Sequence, residues 1–414
     1  MEHIDINFFN DWAKTHITDD SRFDDQGFII MENNKNYKST GVIAKIFQDY
    51  WDAYYARYHK KLDEIRPNCC IEVQKIIDCA NHNLGANVYV CPKCDETYFC
   101  HHTCKGKLCS SCGIKTQKIV TQNILEKIII SKHRHITFTI PKCLRHFFFE
   151  DLHSTDLLFD AVADTIYSIV NGKVKKRKIK RWNNKYIPGF YAFLHTFGRP
   201  LNFNPHIHVI IAETIIDKNG FTKRYDHFNY DALSKRFMKI LLDKMEKYFG
   251  NDFKNVKNKM YLKYTNGFYV NNKLEDDGYK FKSLEELIKY VTRYCARPAM
   301  AESRILNYDG KNVTFFYTDH KNEEYHEETN SAFEFITKLL QHLLPTNFKS
   351  IRNYGFYSKN SHLCDKMIKI ISNEKAKAKR QLIKWTNSIL LSFNRIPILC
   401  PKCGILMDNL FEVS

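Results

Sequence analysis

No run of this 414-residue sequence is apolar for the length that a membrane-spanning helix needs. The opening stretch, "MEHIDINFFNDWAKTH", lacks the basic n-region and apolar h-region of a secretory signal. Both absences lead to the expectation of a cytoplasmic protein whose thiols stay reduced. There is no internal repeat and no long low-complexity tract, so a stacked-repeat architecture is excluded. The Walker A pattern is also missing, which leaves the chain without a built-in ATP-driven helicase. Acidic residues are the minority: 46 Asp and Glu stand against 63 Lys and Arg, a formal net charge of +17. An excess of that size calls for a polyanion, with nucleic acid ahead of an anionic membrane surface.

Cysteine, by contrast, is abundant. Nine of the 14 cysteines fall between Cys69 and Cys112. In a reducing compartment such clustering points to metal rather than disulfides. "CPKC" at Cys91 and Cys94 and "CSSC" at Cys109 and Cys112 are two Cys-x-x-Cys turns separated by fourteen residues. Tetrahedral zinc takes four soft ligands, and two such turns supply them in pairs. Cys79, His82, Cys100, His101, His102 and Cys104 remain as ligands for a second metal or as alternatives. A third turn, "CPKCG" at Cys400 and Cys403, has no second half nearby; closure with His362 and Cys364 is one option.

The length predicts two to four domains. Residues 1 to about 65 read as helical, most clearly in "IFQDYWDAYYARYHKKLDEI", and residues 69–112 as loop-like. Helices are predicted for "GIKTQKIVTQNILEKIIISK", "LLFDAVADTIYSIVNG", "YDALSKRFMKILLDKMEKYFG", "SLEELIKYVTRYCA" and "SAFEFITKLLQHLL". Ser283 is the expected N-cap of the fourth, with Glu286 in the capping-box position. Strands are predicted for "HRHITFTIP", "GFYAFLHTF", "PHIHVIIAET" and "NVTFFYTDH". Strands and helices alternate irregularly, which favours an α+β fold with a mostly antiparallel sheet.

His206 and His208 lie at i and i+2 of one predicted strand, so they share a face while Ile207, Val209 and Ile211 turn to the core. Two imidazoles on one rigid strand make half of a transition-metal site. His195 sits on the preceding strand and becomes a third ligand if the two strands form a hairpin. His133 and His135 form another such pair, and incidental His-x-His pairs are common. A bound metal would hold a phosphate oxygen and orient a nucleophile. Tyr290 and Tyr294 lie at i and i+4 on one helix face. The same spacing at Tyr50, Tyr54 and Tyr58 shows that packing aromatics produce it too.

In order, the Cys-rich module, "HRHITFTIP", "LHTFGRPLNFNPHIHVII", "YVTRYCARPAMAESRI" and "LLQHLLPTNFKSIRNYGFYS" resemble the transposases of the insertion sequence 91 family. These are two-tyrosine rolling-circle enzymes of the HUH endonuclease class. The resemblance spans about residues 70 to 360. It implies a central antiparallel sheet with the histidine pair on a middle strand and the tyrosine helix beside it. It implies His206 and His208 as ligands of a catalytic Mg²⁺ or Mn²⁺, and Tyr290 and Tyr294 as nucleophiles. It also implies Cys91, Cys94, Cys109 and Cys112 as holders of a structural Zn²⁺. Asn204 departs from the family pattern, where His often precedes the proline.

The organisation expected is a helical N-terminal region (1–66), a zinc-binding module (67–118), a catalytic domain (119–360) and a C-terminal helical tail with its own knuckle (361–414). The expected partner is single-stranded DNA of the element's ends and target, with strand separation left to a host helicase or the replication machinery. Lys173, Lys175, Lys176, Arg177, Lys178, Lys180 and Arg181 would track its backbone, with Arg293 and Arg297 nearer the scissile phosphate. Trp182 would stack on a base. The rival readings are a plasmid-type replication initiator or relaxase with the same chemistry, and a zinc-containing DNA-binding protein without catalysis.

Overall fold

The computed structural model describes residues 41–129, 131–172, 185–217, 219–271, 283–318, 324–358, 389 and 398–413, together with Arg22–Phe23 and Ile29–Ile30. The fold is α+β and its sheets are antiparallel. Helix α1 (Val42–Ile65) is followed by α2 (Cys69–Ile77), the hairpin β1 (Ala86–Val90) and β2 (Thr97–His101), and α3 (Ser110–Leu125). Strand β3 (His133–Thr139) leads to α4 (Thr155–Val170) and then to the two longest strands, β4 (Tyr186–Phe197) and β5 (Phe203–Asp217). A short β6 (Thr222–Arg224), α5 (Tyr230–Phe249), α6 (Phe253–Lys263) and β7 (Val270–Asn271) precede the tyrosine-bearing helix α7 (Leu284–Ala296). The chain continues through β8 (Ile305–Tyr308), β9 (Asn312–Thr318), β10 (Tyr325–Ser331), α8 (Ala332–Leu340) and β11 (Ile351–Gly355), and β12 (Asp408–Val413) comes last.

The central sheet has the order β11-β4-β5-β3-β7, with β6 pairing the far end of β5. Its middle strand, β5, is covered on both sides, and strict alternation divides its residues between two cores. Ile207, Val209, Ile211 and Ile215 pack against α4 and α5. Ile210, Ala212 and Ile216 pack with Leu287, Ile288 and Val291 of α7 and Ile124 of α3. His206 and His208 occupy the mouth-end positions of this second face. The β4–β5 hairpin turns at Gly198, whose N–H donates to the Asn202 carbonyl at 3.1 Å.

A separate core joins α1 and α2 to α8 and the β8-β9-β10 sheet. The N-terminal helices therefore rest on residues some 250 positions later. Arg66, 2% exposed, fixes the corner between α1 and α2 by donating to the carbonyls of Ile65, Phe149 and Gln341 at 2.7, 3.2 and 3.0 Å. Among the described residues no helix is long and apolar enough to cross a membrane.

Three local expectations are corrected. The region read as loop holds α2 and the β1–β2 hairpin: Cys69, Val73 and Ile76 recur at helical spacing and are buried. Arg22–Phe23 and Ile29–Ile30 form a small antiparallel pair within the segment expected to be helical. In the expected helical tail, residues 408–413 form β12, which pairs with β1 and makes the tail part of the Cys-rich module's sheet. The basic stretch from Lys173 to Arg181 lies outside the described residues, as do Trp182, His362 and Cys364.

Candidate active site and metal centres

Register brings the histidines together. In the β4–β5 ladder His195 stands opposite His206, and in the β3–β5 ladder Thr137 stands opposite His208. Directly opposed residues share a sheet face. His135, His195, His206 and His208 consequently project to one side. A nitrogen from each of His195, His206 and His208 falls within 4.8 Å of the others.

The flanking hydrogen bonds orient two of these rings. His206 Nδ1 lies 2.6 Å from the Asn204 carbonyl, so Nδ1–H donates and Nε2 keeps its lone pair for a ligand. His208 Nδ1 lies 2.7 Å from His135 Nε2 and 3.1 Å from Thr137 Oγ1, which again leaves Nε2 to face outward. Held rings of this kind are the usual surroundings of a metal-binding imidazole. Burial, and then the neighbouring His206, holds His195 well below the ordinary imidazole range, which keeps it in the neutral form a metal requires. His195 Nε2 is 3.0 Å from Cys295 Sγ, a contact that links the strand to α7.

Helix α7 is started by Ser283, whose side chain accepts from the Glu286 N–H at 3.1 Å. Its apolar stripe, Leu287, Ile288 and Val291, seats it on the sheet. The Tyr290 ring then meets His135 edge-on, with centroids 6.2 Å apart. Tyr294 follows one turn later in the same helix, and its side chain lies outside the described residues. The back of α7 is pinned to α3: Gln117 Nε2 donates to the Lys289 carbonyl at 3.0 Å, and the hydroxyls of Thr121 and Thr292 lie 2.7 Å apart.

These groups open into one cavity of 530 Å³, lined by His135, His195, His206, His208 and Tyr290. Arg199, Arg293, Arg297 and Arg304 add positive charge to its wall. Arg297 Nε donates to Gln117 Oε1 at 2.5 Å, which aims its guanidinium from the end of α7. Sequence reasoning set His135 aside as half of an incidental pair. Its alternation with Ile136 and Phe138 was readable, but its place beside His208 depends on the β3–β5 register.

The other half of that pair serves the fold. His133 Nδ1 is 2.8 Å from the Ser131 carbonyl, and Nε2 is 2.8 Å from the Tyr357 hydroxyl. Burial pushes its pKa down from 6.5 to about 4. The unfolded chain therefore binds more protons between those values, and stability present above the unfolded pKa is lost as pH falls toward the folded one. The loss is about 3 kcal/mol. The thermal midpoint should drop across that window, and His133→Gln should show a shallower drop. An unchanged acid profile in the variant would remove His133 as the cause.

The cysteines are partitioned differently from the sequence expectation. Cys91, Cys94, Cys109 and Cys112 do not converge on one point. Cys109 and Cys112 gather with Cys79 and Cys104, and Cys91 and Cys94 gather with Cys400 and Cys403. The cause is topological: Cys109 and Cys112 open α3 and share a core with Cys69, Val73 and Ile76 of α2, whereas Cys91 and Cys94 sit at the far turn of the β1–β2 hairpin, where β12 arrives. In the first group Cys79 Sγ lies 3.5 and 3.9 Å from the sulfurs of Cys109 and Cys112, and Cys104 Sγ lies 3.6 Å from that of Cys112. A tetrahedral ion with Zn–S of ~2.3 Å sets its sulfurs ~3.8 Å apart, so the group fits structural zinc. Of the remaining candidates, His102 is bonded to Leu84 and Asn87. Cys100 joins neither group.

Comparison with known proteins agrees with this layout. The family model described as "Transposase zinc-binding domain" matches residues 46–140, and that described as "Putative transposase" matches residues 189–363. The chain is 28% identical over 303 residues to the "Transposase for insertion sequence element IS801" of Pseudomonas savastanoi pv. phaseolicola, covering 69% of each. It is 26% identical over 338 residues to the "Putative transposase y4qJ" of Sinorhizobium fredii (strain NBRC 101917 / NGR234), covering 77% of this chain and 81% of the relative. No solved structure matches. The two family models, met in the order of the chain, and the two transposase relatives together support a transposase of the insertion sequence 91 family.

Proposed function

We infer that this transposase nicks and rejoins single-stranded DNA through a 5′-phosphotyrosine intermediate, in rolling-circle fashion. The observation that carries the reading is the single cavity shared by three convergent imidazoles, Tyr290 and a wall of arginines. A phenol titrates near pH ~10 and is a weak nucleophile at neutral pH, so its attack needs nearby positive charge. Arg293 and Arg297 supply part of it and can grip the phosphate oxygens on either side of the scissile bond. The Tyr290 oxygen attacks phosphorus, the bond to the 3′-oxygen breaks, and that oxygen leaves as a free 3′-hydroxyl carrying the proton. The tyrosine ester keeps the phosphodiester's energy, so a later 3′-hydroxyl can displace it without ATP. Tyr294 can hold a second end while the first waits.

A divalent ion held by His195, His206 and His208 would supply charge stabilisation at the pentavalent phosphorus. Three nitrogen donors suit Mn²⁺ better than Mg²⁺, which prefers oxygen and water. The zinc group at the start of α3 acts through packing. α3 braces α7, so a zinc held there would help to position the tyrosine helix in addition to any contact with DNA.

The test is direct. Single-stranded oligonucleotides tiling the element's ends, labelled at the 3′ end, are incubated with the protein and Mn²⁺ and then denatured in SDS. The label should migrate with the protein, while a 5′ label should be released on a shorter fragment. Label retained from the 5′ end, or no adduct on any tile, would overturn the reading.

A further inference from the structure

Beyond the zinc group at α3 and the histidine site, we propose a second structural zinc held by Cys91, Cys94, Cys400 and Cys403, which clasps the C-terminal strand to the N-terminal hairpin. The sulfurs converge from two stretches some 300 residues apart. Cys91 Sγ lies 3.3 Å from Cys403 Sγ, Cys94 Sγ lies 3.5 and 3.4 Å from those of Cys400 and Cys403, and Cys400 and Cys403 lie 3.4 Å apart. Disulfide sulfurs would be ~2.05 Å apart and would pair only two by two. Four sulfurs that all lie within 4.8 Å of one another are the donor set of a tetrahedral thiolate site.

The backbone repeats the same device on both sides. Both stretches read Cys-Pro-Lys-Cys. In the first, the Cys91 N–H donates to the Glu96 carbonyl at 2.9 Å and its carbonyl accepts from the Asp95 N–H at 3.0 Å. In the second, the Cys400 N–H donates to the Ile405 carbonyl at 2.8 Å and its carbonyl accepts from the Gly404 N–H at 2.8 Å. The residue after each second cysteine is left-handed, Asp95 at φ 55° and Gly404 at φ 64°. Asp tolerates this conformation better than most side chains and Gly adopts it freely, so the two turns close in the same left-handed form. Buried Ile398 and Met407 pack with Tyr89 beneath the two turns, and Lys402 pairs with Glu96 across them. The site closes the three-stranded sheet β12-β1-β2.

Each thiol would give up its proton to solvent on binding, so zinc affinity would rise with pH. The experiment compares zinc content of the purified full chain with that of Cys94→Ser and Cys403→Ser. His206→Ala serves as a common background that empties the histidine site. Native mass spectrometry should show two zinc ions in the background chain and one in either cysteine variant. Cobalt substitution should halve the thiolate-to-metal charge-transfer absorbance in both. Cys94 is exposed, so its serine variant disturbs packing least. Should the variants fail to fold, the background chain alone decides. Two thiolate-bound ions support the clasp, and a single ion, or free alkylation of Cys400 and Cys403 in the folded protein, overturns it.

Discussion

Replacing Tyr290 and Tyr294 together by phenylalanine should eliminate the covalent protein–DNA adduct, with a loss of roughly 10⁴-fold or more, the scale seen when a nucleophile is removed. Phenylalanine keeps the ring, so the edge-on contact of Tyr290 with His135 and the seating of α7 through Leu287, Ile288 and Val291 are retained. The effect should therefore appear in chemistry and leave the thermal midpoint nearly unchanged. The two positions lie about 6 Å apart along the helix axis, so each can reach one phosphate site from the same helix. Each single variant should impair transposition. The Tyr290→Phe chain should retain some adduct if Tyr294 can take the first cleavage. An adduct that survives in the double variant would place the nucleophile elsewhere and remove these tyrosines from the mechanism.

The second large effect concerns the imidazoles. His206→Ala and His208→Ala should each lower Mn²⁺ affinity by at least ~10²-fold and abolish nicking, since each removes a ligand from a set of three. His135→Phe should have a graded outcome. It leaves the ligands in place but holds His208 through Thr137 alone, and loss of an orienting partner typically costs ~10–100-fold in metal affinity. Calorimetric titration with Mn²⁺ reads this independently of DNA cleavage. Unchanged Mn²⁺ binding in His206→Ala would exclude the histidine cluster as the metal site, whatever the nicking assay gives.

Much of the active-site geometry was readable because it is local. Alternation across "HRHITFTIP" and "PHIHVIIAET" identified strands and faces, and Ser283 with Glu286 in the capping-box position identified the tyrosine helix. His195 could be placed opposite His206 because a short turn joins their strands. His135 could not be placed, since its strand reaches β5 from before α4 and no local signal sets that register. The cysteines failed for the same reason on a larger scale. Spacing paired Cys91 and Cys94 with the nearest turn, while their partners sit beyond the catalytic sheet in sequence. The helix α2 was missed because its buried side is built partly from cysteine, which was read only as a ligand. The strand at 408–413 has few residues that favour a sheet on their own, and it is fixed by pairing with β1.

The β4–β5 hairpin has a consequence for the order in which the protein acquires its parts. Its three converging imidazoles lie between His195 and His208, so closing the loop that unites them costs little entropy. A chain emerging from the ribosome can form this hairpin before residues 290 and 294 have been made. During synthesis the proposed metal-binding half of the site would thus precede the half that carries the proposed nucleophiles. On the proposed mechanism, a nascent chain, tethered close to nucleic acid throughout translation, could not link itself covalently to DNA until α7 has emerged and docked.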